Sequence, residues 1–117
     1  MQLICRELFG GAALSAPLSE EQADELYRLA LFHDMAHLVG DALLSDGLLP
    51  DGEAKAKFEE QRMMAVFRCE NQSFELERIK SVLSAEKVDF VPLKGAVIRG
   101  FYPEPWQRTS CDIDVLV

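Results

Sequence analysis

From Glu53 to Val88 the chain contains neither glycine nor proline. These are the residues that most readily break a helix, glycine through its backbone freedom and proline through its fixed φ and missing N–H. So long an uninterrupted stretch predicts a helix around which the rest must organise. Ala54, Phe58, Met63, Val66, Phe67, Phe74, Ile79, Val82 and Leu83 supply an apolar stripe, and charged residues cover the remainder. Met63 and Met64 read as core filling. Two forms are open: one continuous helix, or two helices interrupted between Cys69 and Ser73. Asn71, Gln72 and Ser73 are the candidate interruption.

Shorter helices precede it. Leu3 to Phe9 reads as one, closed by Gly10-Gly11. Ser19-Glu20-Glu21-Gln22 has the form of a capping box, a hydroxyl followed three residues later by an amide. Ala23, Leu26, Tyr27, Ala30 and Leu31 then recur at helical spacing. A break is expected near His33-Asp34, and a second amphipathic run from Met35 to Leu43 ends at Asp46-Gly47. Pro50-Asp51-Gly52 reads as a turn.

After Val88 the pattern changes. Val88 to Leu93 reads as a strand whose Pro92 confines it to an edge or an end. Lys94-Gly95 is a turn, and Ala96 to Tyr102 a short helix stopped by Pro103. Cys111 to Val117 alternates and is rich in β-branched residues, the mark of a strand. Charge divides at the same place. The chain carries a net charge of −8. Four basic and four acidic residues cancel from Lys87 onward, so the whole excess lies earlier. Residues 1–86 are accordingly expected to form a helical region, and residues 87–117 the beginning of a different, sheet-containing core.

The acidic balance disfavours unaided binding to duplex nucleic acid, which rewards clustered Lys and Arg. No apolar run approaches the roughly 20 residues that span a bilayer, and the first residues do not resemble a signal peptide. Cys5, Cys69 and Cys111 are few, distant and without CxxC spacing. They read as reduced, buried thiols of a cytoplasmic protein.

The chemistry sits near the C-terminus. On a strand, residues i and i+2 share a face, so Asp112 and Asp114 are expected to project together. Ile113, Val115 and Val117 would take the buried face. Two adjacent carboxylates attract a hard divalent cation, and Mg²⁺ is commonly held by one or two carboxylates plus substrate phosphates. The spacing alone is weak evidence, because Asp51/Glu53 and Glu75/Glu77 share it. Of the three, only Asp112/Asp114 lies in an apolar, β-branched run. An exposed strand face is the structural alternative. The Lys94-Gly95 turn, between a strand and a helix, offers N–H groups and a cation to a phosphate. A plain turn with a solvated lysine is the alternative there. Arg108 is placed either for phosphate or for a salt bridge with Asp112 or Asp114.

Taken in order, Val91-Pro92-Leu93-Lys94-Gly95-Ala96-Val97, Phe101-Tyr102-Pro103, Arg108 and Asp112-Ile113-Asp114-Val115-Leu116-Val117 resemble a known pattern. It is that of the uncharacterised nucleotidyltransferase family, distant relatives of the DNA polymerase beta superfamily. The specific motifs cover only residues 88–117. The resemblance implies that Asp112 and Asp114 are the catalytic metal ligands for Mg²⁺ or Mn²⁺. It implies that Lys94 and Gly95 occupy the phosphate-binding turn, with Arg108 a further phosphate contact. The expected reaction moves a nucleoside monophosphate from an NTP to an acceptor hydroxyl. Two departures stand out: Lys-Gly replaces the superfamily's usual Gly-Ser, and the third carboxylate of a later strand is missing. The 117-residue chain is therefore expected to be an inactive fragment. A complete small protein with a docked C-terminal strand is the alternative.

Other features carry less. His33 and His37 have the i, i+4 spacing of half a helical zinc site, but no third ligand is evident, so both read as structural. Trp106 reads as a partly buried loop anchor. The expected fold is α+β and mainly helical, an N-terminal antiparallel helical bundle leading into the first strands of a nucleotidyltransferase-type sheet. An unpaired sheet edge would favour self-association. The competing reading is an acidic helical module that binds a protein partner, which would require an exposed apolar stripe.

Overall fold

A computed structural model of the chain describes Gly10 and residues 16–117. The expected helix Leu3–Phe9, with Cys5, lies outside the described residues. Those described form an α+β structure, mainly helical, in the order α1 (Glu20–Phe32), α2 (Ala36–Ser45), α3 (Glu53–Ala85), β1 (Val91–Pro92), α4 (Gly95–Ile98) and β2 (Val115–Leu116). Single 3-10 turns occupy Arg99–Phe101 and Pro105–Gln107. The chain divides into two compact units, Met1–Met64 and Ala65–Val117, and α3 belongs partly to each.

In the first unit the helix boundaries follow from local chemistry. The Gln22 N–H donates to Ser19 Oγ at 3.2 Å, and the Ser19 N–H donates to Gln22 Oε1 at 3.0 Å. The expected capping box is thus present, and its hydroxyl contributes about 1 kcal/mol. Helix α1 ends at Phe32 because Asp34 turns into the left-handed region at φ 53°, a conformation aspartate tolerates. Gly47, at φ 65°, follows the end of α2 in the same way. From Ala36 to Leu43 α2 is buried on every side.

Phe58, from the start of α3, is fully buried among Ala23, Ala30, Val39 and Leu43. The Tyr27 ring meets it edge-on at 5.1 Å between centroids. Gly40 makes this approach possible, since a Cβ there would stand 3.0 Å from Phe58 Cδ1. Buried Asp41 is paired with Arg62 Nε at 2.7 Å.

In the second unit α3 runs unbroken through Cys69 to Ser73, which settles the two expected forms in favour of one helix. Ser73 Oγ donates to the Cys69 carbonyl at 2.9 Å, a bond that keeps the hydroxyl within the helix. The expected burial of the stripe does not hold. Ala54 and Phe58 are buried, whereas Met63, Met64, Phe67, Phe74 and Val82 are exposed. The stripe is therefore core only in its first turns, and the two methionines do not fill a core.

The two strands pair antiparallel, Val91 with Leu116 and Pro92 with Val115. Both are shorter than the sequence suggests. Pro92 lacks an N–H and cannot donate to the ladder, although the Leu93 N–H reaches the Asp114 carbonyl at 2.9 Å. The helix expected over residues 96–102 divides into α4 and the 3-10 turn at Arg99–Phe101. The face expected to be buried is not: Ile113 and Val115 are half-buried and Val117 is exposed.

Candidate functional site

Within the second unit, β1 leads directly into Lys94-Gly95. Lys94 has φ 46° and ψ −118°, a conformation that suits glycine and costs other residues roughly 1–3 kcal/mol. The strained position is thus the lysine, while Gly95 serves a different purpose. A Cβ on Gly95 would stand 2.9 Å from Ser110 Cβ and 3.0 Å from its Oγ. The space left by the missing side chain is filled by Ser110. Helix α4 has only one turn, too short for a strong dipole. The Val97 and Ile98 N–H groups return to the Lys94 carbonyl at 3.0 and 2.8 Å. The N–H groups of Gly95 and Ala96, in the first turn, have no acceptor within the helix.

Lys94 Nζ lies 3.1 Å from Asp114 Oδ2. The lysine of the turn and the second aspartate of the pair therefore meet, although they lie twenty positions apart in the chain. Asp114 is half-buried, and Asp112 is exposed with no hydrogen-bond or ion-pair partner among the described residues. The intervening and preceding residues turn elsewhere. Cys111 and Ile113 line a shallow depression with Asn71, Gln72, Glu75 and Ile79, and neither aspartate takes part in it. This division is the alternation expected of extended chain, even though the strand itself begins only at Val115.

The other candidates separate. Arg108 is exposed, and among the described residues its guanidinium donates only to the Thr109 carbonyl at 3.4 Å and forms no ion pair. The salt bridge to Asp112 or Asp114 is not formed. His33 caps the end of α1 and is exposed, while His37 is buried in α2. The helix break between them removes the common face that a zinc site needs. Cys69 is half-buried and Cys111 exposed, both as free thiols, so neither is the buried residue expected. Trp106 is half-buried in the 3-10 turn Pro105–Gln107.

The sequence reading missed Arg99. It is buried, and its guanidinium is satisfied by neutral acceptors. Nη2 donates to Gln72 Oε1 at 2.6 Å and to Ser110 Oγ at 2.9 Å, and Nε donates to the Gly95 carbonyl at 3.1 Å. Nη1 approaches Cys69 Sγ at 3.6 Å. Gln72 Nε2 in turn donates to the Ser110 carbonyl. The signal was an arginine in the otherwise apolar segment Ala96-Val97-Ile98-Arg99-Gly100-Phe101.

The donor set can be compared with the needs of a metal. Among the described residues no three His, Cys, Asp or Glu side chains converge, so a closed protein cage is absent there. Two aspartates supply hard oxygen donors, which fits Mg²⁺ or Mn²⁺ completed by phosphate and water. No described helix is long and apolar enough to cross a membrane.

No curated protein and no solved structure matches the chain. A family model described as uncharacterised nucleotidyltransferase matches residues 19–117, which is most of the chain, and the protein therefore belongs to the uncharacterised nucleotidyltransferase family.

Proposed function

We propose that Asp112 and Asp114 hold Mg²⁺ or Mn²⁺ for transfer of a nucleoside monophosphate from an NTP to an acceptor hydroxyl. In this reading Lys94, the Gly95 N–H and Arg108 hold the phosphates, and the helices form an antiparallel bundle leading into the sheet. The observation that carries it is the 3.1 Å contact between Lys94 Nζ and Asp114 Oδ2. It puts a cation suited to phosphate beside a carboxylate suited to metal. In the reaction, the acceptor oxygen bonds to the α-phosphorus, the bond to the bridging oxygen breaks, and pyrophosphate leaves. The hydroxyl proton passes to solvent. The metal, when bound, neutralises triphosphate charge and lowers the pKa of the attacking hydroxyl. The protein's own share is positioning: Lys94 exchanges Asp114 for a phosphate oxygen, and exposed Arg108 is free to follow the tail of the triphosphate.

With two carboxylates at the site, binding is the decisive test and turnover is not expected of these residues alone. Titration with Mn²⁺, followed by its electron paramagnetic resonance signal, should show binding that Asp112→Asn with Asp114→Asn abolishes. Undiminished binding in the double variant would reject the reading. Lys94→Met should act in opposite directions on two ligands. Removing the competing ammonium should tighten Mn²⁺ binding roughly two- to fivefold, the size of an exposed ion pair, while weakening that of an NTP.

One observation favours a second reading. Phe67, Phe74 and Val82 are exposed, and their spacing puts them on one face of the second unit's part of α3. Such a face suits a helical module that binds a protein partner. On that reading Mn²⁺ binding would be insensitive to both aspartates.

A further inference from the structure

We infer that Arg99 is a positioning residue that fixes the place of Asp112, although it touches neither aspartate. The inference rests on the metal-site reading above and adds to it the device that sets the site's geometry. Asp112 has no partner of its own among the described residues, so its position is inherited from its neighbours. On its C-terminal side Asp114 is held twice, by the Leu93 N–H on its carbonyl at 2.9 Å and by Lys94 on its carboxylate at 3.1 Å. On its N-terminal side Ser110 is held by Arg99 Nη2 at 2.9 Å and by Gln72, which accepts from its hydroxyl at 2.9 Å. The same guanidinium also donates to the Gly95 carbonyl at 3.1 Å. It therefore grips the turn and the segment leading to the aspartates at once.

The chemistry of the residue suits this role. A guanidinium presents its donors in a rigid planar fork, whereas a lysine ammonium is a single point. Here the fork reaches three elements: Gln72 on α3, the Gly95 carbonyl at the turn, and the Ser110 hydroxyl. Burying a guanidinium is costly unless its donors are satisfied, and no carboxylate neutralises this one among the described residues. Packing tightens the arrangement, because Gly95 and Ser110 meet so closely that a Cβ at Gly95 would stand 2.9 Å from Ser110 Cβ. Remove the fork and the direct meeting of Gly95 with Ser110 rests on van der Waals contact, with the nearest polar links to the turn displaced to Asp114.

Two measurements on the full chain test the inference. The first is the proton–proton contact between Gly95 and Ser110 in NMR spectra, which reports position without any metal. The second is Mn²⁺ affinity. Arg99→Gln should lose the Gly95–Ser110 contact while keeping that between Val91 and Leu116. It should weaken Mn²⁺ binding by about tenfold, as expected when a group that orients a ligand is removed. Arg99→Lys, which keeps charge and stem, should fail to restore either. Restoration by lysine, or an unchanged contact in Arg99→Gln, would overturn the inference. If wild type binds no Mn²⁺ yet Arg99→Gln loses the contact, the metal reading fails and the positioning stands. Should Arg99→Gln not fold, Ser110→Ala removes one acceptor of the fork together with the hydroxyl's own bond to Gln72, and leaves the Ser110 carbonyl held by Gln72. It should weaken Mn²⁺ binding by a smaller factor, and an unchanged affinity would count against the inference.

Discussion

The two units are held by different forces. In the first, Phe58 and Leu43 are the largest fully buried side chains, surrounded by alanines, leucines and a valine. In the second, the buried residues are Ala65, Gly95, Arg99 and Gln107, and large apolar side chains such as Phe74 and Phe101 are exposed. Apolar burial supplies roughly 25 cal/mol per Å² and needs no precise geometry. Hydrogen bonds add about 1 kcal/mol net each but fix direction. The first unit is thus built for cohesion. The second spends its buried space on a polar hub that aims the turn and the aspartates.

The largest test of this contrast is Phe58→Ala, which should cost about 3–5 kcal/mol in chemical denaturation. A loss below about 1 kcal/mol would mean that the first unit has no effective core. Gly95→Ala comes next. Its new methyl collides with Ser110, and the overpacking should cost roughly 1–3 kcal/mol, read as faster amide exchange around the turn. Combining it with Ser110→Gly should return part of that loss, since the colliding Cβ is gone. Phe74→Ala should change stability by less than about 0.5 kcal/mol, and a larger loss would show that this exposed ring is packed in solution.

The smallest effect concerns acid. A hydrogen bond from Arg28, with help from Lys57, holds the Asp24 carboxyl below the usual carboxylate range. A depressed folded-state pKa stabilises above the unfolded value of about 4 and is lost as pH falls through the folded one. Asp24→Asn should therefore flatten slightly the acid limb of a stability-versus-pH curve below about pH 4. An identical limb would show that the exposed pair contributes nothing.

Much of the first unit was legible in the sequence because local rules decide it. Ser19 and Gln22 cap one helix, Asp34 ends it, and Gly47 ends the next. The family pattern from Val91 to Val117 was legible for the same reason, as short motifs in fixed order. What escaped was the destination of side chains. Gln72 looked like a weak point of the long helix, yet it is the anchor of Arg99 and Ser110. Its partners lie 27 and 38 positions away, beyond any local periodicity. The apolar stripe of α3 misled in the opposite sense. Periodicity reports which residues share a face, and it cannot say whether anything covers that face.

The backbone at Lys94 has a practical corollary for anyone evolving this protein in the laboratory. A screen that rewards heat resistance alone should drift to glycine there, gaining about 1 kcal/mol as the tension is released. The hardened variants would have discarded the ammonium, and with it the contact to Asp114. Enrichment of glycine in such a screen, matched by its depletion when ligand capture is selected, would identify position 94 as a place where durability and purpose compete.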